Sequence, residues 1–409
     1  MDEKKNQLLI LKDKMKGEEF TLSLLLYKKE LVQINAEPSD SQNARLGSVY
    51  VGKVKNIVKN INAAFIEIAG GRMCYLPLAK KQHPIFANGV RKDNIVIGDE
   101  LLVQVERESV KTKAPTVTTN INITGKYVVL THGDRKIGIS AKIKEEEERK
   151  RLRDIAGKYA NETFGLVVRT NSRNVEADVI EHEIQILLQK YERISRYAIH
   201  FTRFSLVEKG LPNYLCDIRD NNQSNLDEIV TDDKEIYEEM KEYLSQFQQE
   251  DLVKLRFYQD EMISLKNIYS ITSKIEKAFK KNVWLKSGGY LVIEPTEALT
   301  VIDINTGKAV KGRKNEQETF YKINMEASVE IARQIRLRNM SGIILIDFID
   351  MKEQEKRDRL MEEFGNLLSK DPVKTALIDM TRLNLVEVTR KKVRKPLWEQ
   401  INLRSDEDE

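Results

Sequence analysis

Two apolar runs in the last third of the chain each end on an aspartate: LTVIDINTG at Asp303 and GIILIDFIDM at Asp347. A carboxylate at the end of a β-branched run costs free energy unless a cation or hydrogen-bond donors meet it there. Two such ends brought side by side make a metal site. Asn305 follows Asp303 by two residues, so on an extended chain its amide leaves the same side as the carboxylate. Mg²⁺ takes oxygen ligands and uses only one or two carboxylates when phosphate oxygens and waters complete its shell. The loop that follows, TGKAVKGRK, carries Gly307, Lys308, Lys311, Gly312, Arg313 and Lys314, a flexible basic stretch suited to phosphates around such an ion. The chemistry implied is attack on a phosphodiester. One strand-end aspartate could instead cap the next helix or pair with an arginine; the pair together with Asn305 favours the metal. Asp350 reads as the N-cap of the next helix in preference to a third ligand, and Glu297 has a similar claim.

A second constellation lies nearer the N-terminus. Phe65 and Tyr75 punctuate strand-like runs that also carry Lys53, Lys55, Lys59 and Arg72. Single-stranded nucleic acid is held by aromatic faces for the bases and cations for the phosphates, and OB-type barrels are the usual host. On these residues alone a core role for the rings is the simpler reading, and Lys113 in SVKTKAPT is one more cation. The third constellation is Val168-Arg169-Thr170, followed by Asn171 and Ser172. An arginine fork takes phosphate bidentately, with a hydroxyl and turn N–H groups as supplements. An ordinary ion-paired arginine fits the same residues.

The elements that must position these groups can be read from periodicity. Residues 1 to about 36 alternate as half-buried strands, and GSVYVGKVKNIVKNINAAFIEIAGGRMCYLPL with IGDELLVQVERES reads as a five-stranded small barrel. Ile143, Leu152, Ile155 and Tyr159 recur at helical spacing, as do Val179, Ile186, Leu187, Tyr191 and Ile194. Over 203–282 the helix-forming IYEEMKEYLSQF stands out, and DIRDNNQSNLDE is a polar loop by composition. Then come a strand pair (YLVIEPTEALTVIDIN), a long helix (EQETFYKINMEASVEIARQIRLRN) and the strand GIILIDFIDM, a pattern that predicts parallel strands buried on both faces.

At 409 residues, with roughly 150 per domain, two to four domains are expected. Charged residues make up 32% of the chain but leave a net charge of only +4, so any nucleic-acid face must arise from local segregation of charge. The two cysteines, Cys74 and Cys216, form no C-x-x-C pair, which argues against a disulfide scaffold and a thiolate zinc site. No apolar run approaches a membrane span and the N-terminus has no signal-peptide h-region. A cytoplasmic protein that does not cross the membrane is expected.

The segment DINTGKAVKGRKNEQETFYKINMEASVEIARQIRLRNMSGIILIDFIDM closely resembles the catalytic core of the bacterial ribonuclease E/G family. The likeness extends through SGGYLVIEPTEALTVIDIN, the barrel segment, TTNINITGKYVVL and GLVVRT, from about residue 45 to 395, and is thin between 172 and 282. The resemblance implies an α/β (α+β) multidomain architecture. Its expected parts are a ribonuclease H-like subdomain split between 1–36 and 214–282, an OB-fold over 37–119, a 5′-sensor over 120–213 and a deoxyribonuclease-I-like catalytic subdomain over 283–409.

The resemblance further implies an endoribonuclease that cuts single-stranded RNA with Mg²⁺ (Mn²⁺ as a substitute), leaving a 5′-phosphate and a 3′-hydroxyl, in rRNA processing or mRNA decay. Asp303 and Asp347 would hold the metal and Asn305 would assist at the phosphate. Phe65, Tyr75 and Lys113 would contact RNA in the barrel. Gly125, Val129, Arg169 and Thr170 would form a pocket for a 5′-monophosphate. Family members commonly carry a C-P-x-C zinc link between protomers after a TRKKVR-like run; here KPLWEQINLRSDEDE follows Arg394, so no zinc link is expected, and a monomer or a dimer without zinc bridging is the expected state. The rival reading is a non-catalytic, ribosome-associated RNA-binding protein.

Overall fold

Leu8 to Leu11 and Leu22 to Leu26 lie on neighbouring strands and are buried almost without a break, where alternation had predicted one solvated face. The computed structural model describes residues 5–39, 44–78, 83–89, 94–109, 114–159, 161–196, 200–221, 226–308 and 316–401. The chain forms two compact units. One comprises Met1–Asp40, Gln223–Lys241 and Val253–Glu409, the other Ser41–Asn222 and Glu242–Leu252. The mixed α/β organisation and the small closed barrel expected from the sequence are both present.

In the first unit, β1 (Asn6–Met15), β2 (Glu18–Tyr27) and β3 (Glu30–Pro38) form an antiparallel meander. β14 (Glu228–Thr231) and β15 (Leu255–Phe257) add to it in parallel, giving the order β15-β14-β1-β2-β3. β1 is therefore central, which explains its continuous burial. Helices α5 (Leu265–Ile268), α6 (Ile271–Phe279) and α9 (Leu397–Gln400) supply Leu265, Ile271, Ile275 and Leu397 to the core that buries Leu9, Leu11, Leu22 and Leu24.

The same unit holds a six-stranded sheet of β16 (Asn282–Trp284), β17 (Tyr290–Pro295), β18 (Leu299–Asn305), β19 (Gly342–Asp347), β20 (Thr375–Met380) and β21 (Leu385–Arg390), ordered β16-β17-β18-β19-β21-β20. Only β18 and β19 run parallel. The 22-residue helix α7 (Glu316–Leu337) lies between them in sequence, as a parallel crossover requires. Leu291, Ile293, Ile302, Ile304, Ile344, Ile346, Val386 and Val388 share one core with Ile323, Ala327, Ile331 and Ile335 of α7 and Leu360, Phe364 and Leu368 of α8 (Gln354–Ser369). The alternate residues, among them Val301, Asp303, Asn305, Ile343 and Asp347, are half-buried or exposed. This corrects the expectation of strands buried on both faces: α7 and α8 contribute to one core, and the other face stays open. A buried ion pair closes the far end of β21, where Arg390 Nε donates to Asp371 Oδ2 at 2.7 Å and Arg390 Nη1 donates to Asn339 Oδ1 at 2.7 Å.

In the second unit, β4 (Val49–Val58), β5 (Ala63–Ile68), β6 (Arg72–Pro77), β8 (Thr116–Thr118) and β7 (Glu100–Arg107) are neighbours in that order, and β7 pairs back onto β4 to close a five-stranded barrel. Val54, Ile66, Ile68, Cys74, Leu76, Leu101 and Val103 fill it. A second sheet has the order β11-β12-β10-β9, from β9 (Asn122–Thr124), β10 (Val128–His132), β11 (Ile137–Ile139) and β12 (Phe164–Val168). It shares a core with α1 (Glu146–Gly157) and α2 (Ala177–Arg196). The buried stripe of α2 is Ile180, Glu183, Ile184, Leu187, Tyr191 and Ile194, so Val179 is exposed and Ile186 only half-buried, a rotation from the predicted face. Ile143 and Tyr159 flank α1 without belonging to it. β13 (Leu206–Glu208) pairs with β4, and α3 (Asn213–Asp220) turns the first part of the predicted polar loop into a helix. A further helix, α4, spans Lys234–Phe247, its residues up to Lys241 belonging to the first unit and those from Glu242 to the second.

Candidate active site

Val301, Asp303 and Asn305 alternate with the core residues Ile302 and Ile304, so the pleat of β18 sends both polar side chains to the open face. The parallel register of β18 and β19 pairs Asp303 directly with Asp347. The two carboxylates therefore leave the same face from adjacent strands, about 5 Å apart at the backbone. Asn305 Nδ2 donates to Asp303 Oδ2 at 2.6 Å, which orients both groups. Burial raises the pKa of Asp347, and the nearby charges of Asp303 and then Asp350 raise it further. That repulsion is what a cation would relieve. Two carboxylates and an amide oxygen on one face are a hard-oxygen donor set and fit Mg²⁺.

Among the described residues no group of three or more His, Cys, Asp or Glu gathers as a metal cluster. Asp350 is exposed and accepts from Asn384 Nδ2 at 3.1 Å. It is not a helix cap: α8 begins at Gln354 with Glu353 in the capping position, so that expectation is corrected. Glu297 is exposed in the turn before β18, at the opposite end of the strand from Asp303. Lys308 is exposed just beyond the strand, whereas Lys311, Gly312, Arg313 and Lys314 lie outside the described residues.

Two parts of this site were not anticipated from the sequence. Asn324 of α7 is fully buried; its Nδ2 donates to Ile349 O at 2.7 Å and its Oδ1 accepts from Ile349 N at 3.1 Å. It thus pins the backbone two residues beyond Asp347. Its signal was an amide beside the apolar stripe of Ile323, Ala327 and Ile331. The strand-end loop is fixed from the other side by glycines. A Cβ on Gly289 would meet Asn305 O at 2.9 Å, and Gly307 has φ +53° with Gly288 O where its Cβ would be, at 2.4 Å.

In the barrel, Phe65 and Tyr75 are register partners on β5 and β6, with ring centroids 6.1 Å apart and nearly perpendicular planes. Their neighbours Ala64, Ile66, Cys74 and Leu76 are buried while both rings are half-exposed, so they sit on the outer surface and the core reading does not hold. Lys55 pairs with Glu67 at 2.8 Å. Lys113 lies outside the described residues.

Around the third constellation, Arg169 Nη1 donates to Gly125 O at 2.6 Å and Nη2 to Asp220 Oδ1 at 2.7 Å. Thr170 Oγ1 lies 2.7 Å from Ser140 Oγ, and Val129 is in register with Val167 on the face opposite the buried Val128 and Val168. Asp220 also receives Arg219 Nε and Nη2, both at 2.9 Å. Burial would raise its pKa, but Arg219 and then Arg169 outweigh it and hold the carboxyl at about 2. Beside them Glu183 accepts the backbone N–H groups of Lys126, Tyr127 and Val128 at 2.7, 2.8 and 2.8 Å. Burial nevertheless raises its pKa against those donors. A Cβ on Gly125 would lie 2.4 Å from Glu183 Oε1, so only glycine fits there. Neither Glu183 nor Asp220 was legible as part of this cluster in the sequence.

A closed barrel with surface aromatics and a separate sheet with paired strand-end carboxylates are the parts of a protein built to handle a phosphodiester polymer. Residues 122–393 match the model of the ribonuclease E/G family. The chain belongs to that family. It is 32% identical over 370 residues to ribonuclease G of Escherichia coli strain K12, covering 88% of this chain and 75% of that protein. It is 33% identical over 364 residues to ribonuclease G of Haemophilus influenzae, covering 86% and 73%. Against ribonuclease E of Synechocystis the identity is 33% over 388 residues, covering 94% of this chain and 57% of that protein. Among the described residues no helix is long and apolar enough to cross a membrane.

Proposed function

We propose that this protein is an Mg²⁺-dependent endoribonuclease that cleaves single-stranded RNA to 5′-phosphate and 3′-hydroxyl ends, acting in RNA processing or decay in the cytoplasm. The observation that carries the reading is the register pairing of Asp303 with Asp347, with Asn305 bonded to the first of them. The relatives named ribonuclease G and ribonuclease E support it. On this reading the two units correspond to ribonuclease H-like and deoxyribonuclease-I-like subdomains and to an OB-fold with a 5′-sensor.

Asp303 and Asp347 together would hold the cation. When bound, Mg²⁺ supplies a Lewis acid that polarises the scissile phosphate. The second N–H of the Asn305 amide is a donor for a phosphate oxygen, already aimed by its bond to Asp303. Lys308 offers positive charge as negative charge builds on the phosphate oxygens. Water attacks phosphorus in line, the bond to the ribose 3′-oxygen breaks, and that oxygen leaves protonated. Phe65 and Tyr75 hold bases on the barrel surface, while Gly125, Val129, Arg169 and Thr170 receive a 5′-monophosphate.

Labelled single-stranded RNA bearing a 5′-monophosphate or a 5′-hydroxyl, incubated with Mg²⁺ or EDTA, tests the reading. Cleavage is expected with Mg²⁺ only, faster on the monophosphate, and Asp303→Asn should abolish it while RNA is still bound. Binding without cleavage by the wild-type protein would replace this reading with non-catalytic RNA binding.

A further inference from the structure

The open face of the six-stranded sheet carries more than the two aspartates and the asparagine. Across β16, β17 and β18 the register pairs Trp284 with Tyr290 and Tyr290 with Asn305. Directly opposed residues on antiparallel strands project from the same face. Trp284, Tyr290 and Asn305 therefore form one row, and Asp303 stands one step down the same strand. The two rings lie 5.0 Å apart between centroids with planes 47° apart. Trp284 is 66% exposed, unusual for a side chain that is highly buried on average. The core explains Val283, which points the other way into the sheet's apolar cluster, but nothing in that core needs the indole.

This pair is held firmly at the rim of the site. Glu326 of α7 accepts the backbone N–H groups of Lys286 and Ser287 at 2.6 and 3.1 Å, fixing the turn between β16 and β17. Lys308 N donates to Gly288 O at 3.3 Å, so the loop leaving Asn305 lies against that turn. The exposed cations Lys286 and Lys308 flank this end of the sheet. Bare rings beside cations, in register with a site for phosphodiester cleavage, match a nucleotide: a base for the rings and phosphates for the amines.

We propose that Trp284 and Tyr290 form a stacking platform for a nucleobase of single-stranded RNA adjacent to the scissile phosphate. The indole lies two strand spacings, about 10 Å, from Asn305 along the row. The platform rests on the proposed cleavage at Asp303 and Asp347 for its place in the reaction, but its contact with a base can be read without any cleavage. It holds the strand beside the cutting point, a task distinct from that of the barrel aromatics, and it gains from any base because every base has a π-face.

The chain has two tryptophans, and Trp398 is half-buried against the core, so Trp398→Phe leaves Trp284 as the only indole. In EDTA, a short single-stranded oligoribonucleotide should quench its emission saturably, and a matched oligomer of abasic sugar phosphates should not. With Mg²⁺, Trp284→Ala in the otherwise unchanged chain should raise KM by roughly 5- to 150-fold, the range for one lost base stack, with a smaller change in kcat. Trp284→Phe should restore most of that loss, and Tyr290→Phe should be near neutral. Equal quenching by the abasic oligomer, or an unchanged KM with no quenching, overturns the platform, and cleavage that persists then leaves the proposed function standing. Quenching that requires bases in a protein that never cleaves supports the platform and removes the nuclease reading. Emission that responds to protein concentration and ignores RNA would give the face to a second copy of the chain and overturn the proposal.

Discussion

Asp303 and Asp347 face one another as register partners on the only parallel pair of strands in their sheet, and the charge of Asp303 contributes to the raised pKa of Asp347. On the proposed reading Asp347 must be ionised to hold the cation, so divalent-cation affinity should fall as pH drops through that raised value, approaching tenfold per pH unit below it. The sign for stability is the reverse of the usual carboxylate. The folded protein keeps a proton that the unfolded chain releases near the ordinary value, so stability falls as pH rises between the two, and Mg²⁺ should restore it. Carboxylate NMR would report the titration. Asp303→Asn should move Asp347 back towards the ordinary range, and an unmoved Asp347 would show that burial and Asp350 set it without Asp303.

Asn324 acts on the site through Ile349. Replacing it with leucine keeps the branched four-atom shape of the side chain but strands a backbone N–H and a carbonyl, at roughly 1–3 kcal/mol for such groups. The loss should fall on kcat, by about tenfold or more, with KM for RNA little changed, because the substituted residue lies in the core under the sheet. Circular dichroism should show the same fold. A loss confined to thermal stability would make Asn324 a packing residue only.

The carboxylate pair was legible in the sequence because each aspartate ends an apolar run, which is a local signal. The outward placement of Phe65 was also available, since it shares the phase of Glu67 and opposes that of Ala64, Ile66 and Ile68. The phase of Trp284 was not, because β16 has three residues and one apolar neighbour cannot establish a period. Asn324 and Asp220 were hidden for another reason. What each does depends on a partner 25 or 51 residues away, and the use of a polar side chain is decided by what the fold places opposite it. The one-sided sheet was misread because continuous β-branched strands fit either a doubly covered sheet or one that leaves a face open for a ligand.

The ion pair of Arg390 and Asp371 is almost fully enclosed, with side chains 3% and 6% exposed. Removing one partner of a buried pair leaves an uncompensated charge and typically costs about 3–5 kcal/mol, far more than the net worth of the pair. Asp371→Ala should therefore lower the denaturation midpoint of the first unit strongly. The double replacement Arg390→Met with Asp371→Leu should recover most of the loss. A double variant as unstable as the single one would mean that the other bonds of the pair, from Arg390 to Asn339 Oδ1 and Met340 O and from Val373 N and Thr375 Oγ1 to Asp371, carry the stability instead.

Asp220 occupies the side of the Arg169 fork that an incoming 5′-monophosphate would need, while Arg219 holds Asp220 from behind. On the proposed 5′-sensor reading, the carboxylate and the phosphate compete for one guanidinium. Asp220→Asn keeps a hydrogen-bond acceptor but removes the charge, a change worth roughly 1 kcal/mol for a partly exposed pair. KM for 5′-monophosphorylated RNA should fall about fivefold, with 5′-hydroxyl RNA unaffected. Arg169→Ala should erase the difference between the two substrates. The pH profile supplies an independent check. The carboxyl sits near 2 in the folded protein, below its unfolded value, so its contribution to stability is complete above roughly pH 4. It is lost only as pH falls from there towards 2, and Asp220→Asn should leave the pH dependence of 5′-end preference unchanged from 5 to 8. If Asp220→Asn weakens the preference instead, Asp220 positions Arg169 for the phosphate and does not compete with it.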